Sequence, residues 1–397
     1  MKLRKTLIAA LPLGAIALGA HAQSSVTLYG IVDTGIGYLS NQAPSTGATS
    51  GGASVTKLLE GVWGGERFGF KGSEDLGGGL KTIFQLEEGF NADTGAMSKT
   101  GIMFNRASWV GLSSNDVGTF TIGRQYTPYY SLLAPYSPTN WLTGAFGAHP
   151  GDVDNLDTDY RVNNALVYTT PSFSGFKFSG MYALGGVAGD FSAGSSWSLA
   201  AQYIAGPAGV GIGIERFNNA TIGGGAWSSS STAYSGTGEQ GSSSLTSGYQ
   251  NAAAQQRIAV TAGYTFNQQW DVSAAYSNVQ YIAGVNSGFS TAIFNSGGVV
   301  LHYRPVAAWD LAAGYAYTKA SEANGITDAA SYQQFNLTEL YNLSKRTKLY
   351  ILEAYQNASG KTLQGGKIVA ATADIGEQSA AATSGQFGVT IGINHAF

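Results

Sequence analysis

Few residues in this chain have the types and spacing that bond-making chemistry needs. Ser359-Gly360-Lys361-Thr362 ends like a phosphate loop, but Tyr355 stands where the first glycine is required. Gly209-x-Gly211-x-Gly213 belongs to an alternating segment, not to a strand-to-helix turn. No G-x-S-x-G occurs, and His149, His302 and His395 are too scattered for a metal motif, so no catalytic, cofactor or metal site is expected. What remains is charge. Arg67 shares a face with Lys71, Lys81 shares one with Gln85 and Glu87, and Arg124 ends an alternating segment just before a long loop. That loop closes on an acidic run, Asp152, Asp154, Asp157 and Asp159, which could line an aqueous space, face bulk water, or hold a divalent cation weakly.

The loop itself, residues 125–161, holds Pro128, Pro135, Pro138 and Pro150, four of the nine prolines, which speak against a regular helix or a central strand. It is also rich in Tyr, Leu, Trp and Phe, so it is expected to pack against something. Alternating segments on either side make it a connection between two strands, folded into the mouth of a β-barrel.

The elements that must position these groups follow from composition. Residues 1–22 have a basic start, an apolar run and a small-x-small ending at Ala20-His21-Ala22, the pattern of a cleaved signal peptide, which leaves 23–397 as one mature domain. Its removal takes three of the 21 basic residues and none of the 24 acidic ones, for a net charge of −6. An acidic chain without a basic tract gives no support for nucleic-acid binding. With no cysteine, disulfides and thiolate sites are excluded. Charged residues are only 11% while 56 glycines and 22 tyrosines are present, which is unusual for a soluble enzyme. No later window is apolar enough for a spanning helix, which leaves the ten-residue alternation of a membrane barrel as the pattern to seek.

That pattern recurs. In 26–38 the even positions Val26, Leu28, Val32, Ile36 and Tyr38 oppose Thr27, Asp33, Gly35 and Gly37. Similar segments are read at 67–73, 80–87, 176–182, 210–215, 257–266, 270–277 and 309–317, with weaker ones at 105–112, 119–124, 161–168, 197–204, 299–303, 335–341, 349–355 and 386–397. Together they make sixteen, an even number as antiparallel closure demands. Trp and Tyr at segment ends suit membrane interfaces. Short connections (74–79, 267–269, 342–346) read as periplasmic turns; long polar ones (41–61, 218–256, 321–331, 357–384) read as extracellular loops, with 221–247 expected to be mobile. A soluble sandwich also alternates, but its filled core would not tolerate Arg, Lys, Glu and Asp on the second face. Glu339 and Glu353 fall on the apolar face, through either a register slip or an interface.

QSSVTLYGIVDTGIGY, ERFGFKGSEDLGGGLKTIFQLE, FNRASWVGLSSNDVGTFTIGRQ, RVNNALVYTTPSFSGF, YNLSKRTKLY and the terminal GINHAF resemble the Gram-negative trimeric porins of beta-proteobacterial type. The resemblance covers both termini and the first half well, and 185–330 poorly. It implies an all-β transmembrane antiparallel barrel of sixteen strands, a homotrimer in the outer membrane, and a third loop folded into the lumen. Basic residues on one wall would face that loop at Arg67, Arg106 and Arg161, with Lys71 beside them and Lys81, Glu87 and Arg124 as further lining. Parity alone leaves Arg106 ambiguous, because Val110 and Leu112 share its face. The expected partners are small hydrophilic solutes and ions, outer-membrane lipid and lipopolysaccharide, and the barrel-assembly machinery, to which Phe397 would be the signal; Asn394 stands where relatives often carry a basic residue. The competing reading is a surface adhesin whose Gly/Ser-rich loops do the work and whose lumen is incidental.

Overall fold

The structure is a computed structural model and describes residues 25–43, 51–157, 161–234, 243–376 and 378–397; the expected signal peptide and Asp159 lie outside the described residues. Its strands are β1 (Ser25–Gln42), β2 (Ala53–Glu60), β3 (Arg67–Gly77), β4 (Leu80–Glu88), β5 (Ala107–Ser114), β6 (Gly118–Gln125), β7 (Val162–Thr169), β8 (Phe176–Ala183), β9 (Ser196–Ala205) and β10 (Ala208–Asn218). They continue with β11 (Ala254–Thr265), β12 (Trp270–Ile282), β13 (Ala292–Val306), β14 (Trp309–Ala320), β15 (Ser331–Asn342), β16 (Thr347–Ser359), β17 (Lys361–Gln364), β18 (Lys367–Ala370) and β19 (Gly385–Ala396).

Each barrel strand pairs antiparallel with its neighbour, and β1 closes the cylinder on β19 from Ile31↔Ala396 to Leu39↔Gly388. The ladder contains seventeen pieces, but β2 and β3 both pair with β1, the first along its upper half and the second along its lower half. They are one strand broken at residues 61–66, so the barrel has sixteen. All sixteen segments expected from alternation are present. The strand Ala53–Glu60 corrects the reading of 41–61 as a loop throughout.

Closure pairs neighbouring strands around the cylinder, and the alternation decides which face meets what. In β15, Tyr332, Gln334, Asn336, Thr338 and Leu340 are buried inward while Gln333, Phe335, Leu337 and Glu339 are exposed outward. The outer face carries exposed Leu, Ile, Val and aromatic side chains, the composition that hydrocarbon requires. Trp270 stacks on Tyr303 at 4.2 Å and Trp309 lies 5.0 Å from Tyr341, pairs that sit at the short-turn end as an aromatic girdle. Among the described residues no helix is long and apolar enough to cross a membrane; crossing is by strands. The unbroken β14–β15–β16 register excludes a slip at Glu339 and Glu353, which both face outward beside Ile351 and Leu337.

Two connections depart from expectation. Pro128 does not prevent a helix: α1 (Pro128–Leu133) forms with proline at its start, where no backbone donor is needed, and Thr127 caps it by accepting from Tyr130 N. Nor is 221–247 loose where it is described. Trp227 and Ala233 pack on Phe217, and Leu245 with Tyr249 packs on Tyr281, Phe294 and Tyr332 over one mouth of the barrel. β17 and β18 form a hairpin in the last loop.

Candidate pore constriction

The long loop crosses the inside of the barrel and is pinned to the far wall. Gln202 and Thr261, inward on β9 and β11, donate to the carbonyls of Leu132 and Leu133, both at 2.9 Å. Tyr129, Leu132, Leu133 and Leu156 bury themselves against Ala200, Ala259 and Ala275, the small residues that let a helix approach the wall. Further along, Gln334 and Asn336 of β15 donate to Phe146 O, and Phe146 packs among Leu39, Leu59, Val62 and Leu352. Buried charge adds two fixings. Glu215 accepts from Thr127 and Asn155 at 2.8 and 3.0 Å, and Arg257, fully buried, donates to Val153 O.

Opposite this loop lies the break between β2 and β3. Asp33, inward on β1, accepts from Gly64 N at 2.9 Å, Tyr350 Oη at 2.6 Å and Asn394 Nδ2 at 2.8 Å, which bends residues 61–66 into the lumen. Ala145 N then donates to Val62 O at 2.7 Å, joining this tongue to the loop. Asn394 thus has a structural partner in Asp33.

Between tongue and loop is a cavity of ≈ 580 Å³ lined by Arg67, Arg106, Arg161 and Asp157, with Glu60, Trp63, Gly65, Glu66, Lys99, Tyr126 and Tyr130. The three arginines therefore converge, and Arg106 faces inward despite its ambiguous parity because it precedes β5. Arg106 Nε pairs with Glu87 Oε1 at 2.8 Å, while Arg106 Nη2 and Arg161 Nη2 donate to Tyr126 Oη at 3.0 and 2.9 Å. Arg161 also lies over the Tyr126 ring at 4.8 Å, and Arg67 donates through Nε to Gly65 O. One phenol oxygen holds two like-charged groups together.

Other candidate residues stand elsewhere. Asp154 is buried, accepting from Ser277 Oγ and meeting His149 Nδ1, each at 2.5 Å; burial alone would raise its carboxyl, but His149 and Ser277 hold it below the usual range. Asp152 is buried and accepts from Asp157 N. Neither lines the cavity, so both are corrections to the acidic run: they fasten the loop to itself and to β12. No group of three His, Asp or Glu side chains able to hold a metal occurs among the described residues. Arg124 is turned inward by an irregularity of register between Gly123 and Gln125, but it is buried behind the cavity, donating to Asn105 O and Asn163 Oδ1. Lys71 and Lys81 are exposed on the inner face nearer the short turns, Lys71 over the Tyr29 ring and Lys81 opposite Asp75. Phe397 pairs with Gly30 through both backbone bonds and completes closure.

Comparison with known proteins agrees with the barrel fold. The family model described as Gram-negative porin matches residues 6–361. The chain belongs to the Gram-negative porins. An outer membrane porin of Bordetella pertussis is 34% identical over 54% of the chain and 60% of its own length, and outer membrane porin protein 32 of Delftia acidovorans is 30% identical over the whole of both. Among solved structures, the anion-selective porin from Comamonas acidovorans aligns with a TM-score of 0.64 and 25% identity over 94% of this chain and all of that one. The trimer form of OmpT from Vibrio cholerae shares the fold at a TM-score of 0.63, covering 94% of this chain and 99% of that one at 18% identity. This porin is accordingly an outer-membrane channel and not an enzyme. An adhesin reading has no support from the family.

Proposed function

We propose that this porin is a homotrimer whose barrels pass small hydrophilic solutes and ions by diffusion, narrowed by the loop at 125–161 and biased toward anions. The convergence of Arg67, Arg106 and Arg161 on one cavity carries this reading. Glu87 offsets one of them and Asp157 another, while Lys99 adds a further cation. In a narrow passage little water screens that balance, so local charge outweighs the acidic total of the chain. The Comamonas relative is named as anion-selective, and the Vibrio one is recorded as a trimer, which fits both parts. Outer-membrane lipid and lipopolysaccharide would surround the apolar band, and the barrel-assembly machinery would read Phe397. Purified protein added to planar bilayers should open in conductance steps grouped in threes; a silent barrel, or steps with no such grouping, contradicts the channel trimer.

The bias should also depend on pH. Burial would raise the Tyr126 phenol, but Arg161, Arg106 and Arg67 outweigh it and bring it down to about 8. Burial, then Asp33 and Glu60, push the Glu66 carboxyl up to about 8. Both groups are neutral at pH 7 and negative above pH 8, so negative charge builds up beside the arginines as pH rises. Anion preference should fall between pH 7 and pH 9 and recover on return. A zero-current potential constant across that window, in a trimer that still conducts, contradicts the assignment.

A further inference from the structure

We propose that the constriction holds a carboxylate subsite, formed by Arg67, Arg106, Gly65 and Trp63, that favours solutes with an aromatic ring. It rests on the basic-passage reading above and names the solute class that the same groups select. Arg67 commits only Nε, to Gly65 O, and Arg106 commits Nε to Glu87 and Nη2 to Tyr126. Both Nη groups of Arg67 and Nη1 of Arg106 have no protein partner among the described residues. These free ends turn toward the same spot. A methyl carbon placed on Gly65 would lie 3.4 Å from Arg106 Nη1 and 3.8 Å from Arg67 Nη2, so the missing side chain leaves a bare space between two donor sets.

Two such donors match the two oxygens of a carboxylate, which guanidinium groups take through parallel charge-assisted bonds, whereas a halide can use only one point of contact. Two residues before Gly65, the Trp63 ring lines the same cavity, steadied by Tyr350 at 6.4 Å and by Lys348 Nζ at 5.6 Å. Phe90 and Tyr130 complete the apolar lining. Tyr126 is already engaged on its faces by Arg161 and Tyr130 and is not needed for the solute. A cavity of ≈ 580 Å³ falls in the range of small-ligand pockets, about 300–1,000 Å³, and suits an acid with a single ring. An inorganic oxyanion would use the arginines but gain nothing from Trp63.

The test is block of chloride current through the wild-type trimer by added benzoate, cyclohexanecarboxylate, acetate and sulfate. Benzoate should reduce the current at concentrations about tenfold lower than acetate or cyclohexanecarboxylate, the size of an aromatic contact. Trp63→Leu should bring benzoate level with cyclohexanecarboxylate, Trp63→Phe should keep most of the difference, and Gly65→Ala should weaken block by every carboxylate. Equal potency of benzoate and acetate in the wild type, or sulfate as potent as benzoate, overturns the proposal without any variant. Arg67→Ala separates the two readings. If it moves the zero-current potential while benzoate and acetate stay equal, only the aromatic subsite fails; if the potential does not move, the basic passage fails with it.

Discussion

Arg106→Ala should lower anion permeability by about threefold to about fiftyfold, and the ratio of anion to cation permeability by more, because the same loss favours the cation. The lower figure is the loss of one charge about 7 Å from a passing ion in water-like surroundings, about 0.6 kcal/mol; the upper is the same loss at an effective dielectric of about 20, about 2.4 kcal/mol. The change acts in the stated direction for two reasons. The guanidinium disappears, and Glu87, 4% exposed and now without its cation, presents its charge to the passage. Tyr126 also loses one of its two arginine donors, which leaves Arg161 less firmly placed. The zero-current potential across a salt gradient reads the effect, and a potential equal to that of the wild type contradicts it. Arg106→Lys should keep the sign but lose part of the selectivity, because a point charge cannot serve Glu87 and Tyr126 together.

Arg257→Ala should release the loop without dissolving the barrel. Arg257 is 0% exposed; it donates to Val153 O at 3.0 Å, to Gln255 at 2.9 Å, and stands 3.9 Å from Glu215. Glu215 in turn holds Thr127 at the head of α1 and Asn155 near the loop's end, so one buried pair grips both halves of the loop. Removing the cation strands a buried carboxylate, a change that costs about 3–5 kcal/mol. The strand ladders on either side of β11 are untouched, so that cost falls on the loop and not on closure. Single-channel conductance should rise and become noisier while the folded barrel survives. The double variant Arg257→Met with Glu215→Gln, which strands no charge and keeps an acceptor for Thr127 and Asn155, should restore quieter currents. Unchanged conductance in Arg257→Ala would show that the loop is held by its apolar contacts alone.

The strands were legible in the sequence because a membrane barrel imposes the same period on each of them. Once hydrocarbon lies outside and water inside, Phe335, Leu337 and Tyr341 must alternate with Gln334, Asn336 and Thr338, and one slip would expose every polar group. The break at residues 61–66 was hidden for the opposite reason. Gly61-Val62-Trp63-Gly64-Gly65-Glu66 has no alternation, and its place in the lumen depends on Asp33, Tyr350 and Asn394, which lie far away in the chain. Tyr126 was missed likewise, since nothing local separates it from Tyr129 or Tyr130; only the arrival of two arginines at its oxygen does. A sequence signal did exist in its position, directly after a basic strand end. For Asp152 and Asp154 the pattern misled: a spaced acidic run usually faces water, but His149 and Ser277 take Asp154 out of it. Pro128 was read by its usual prohibition, which does not hold at the first helical position.

The most direct test is the zero-current potential of the wild-type channel at pH 7 with concentrated potassium chloride on one side of the bilayer and dilute on the other. Chloride passing the three arginines faster than potassium should make the dilute side negative. A dilute side that turns positive would mean that carboxylates, not Arg67, Arg106 and Arg161, govern the narrowest point.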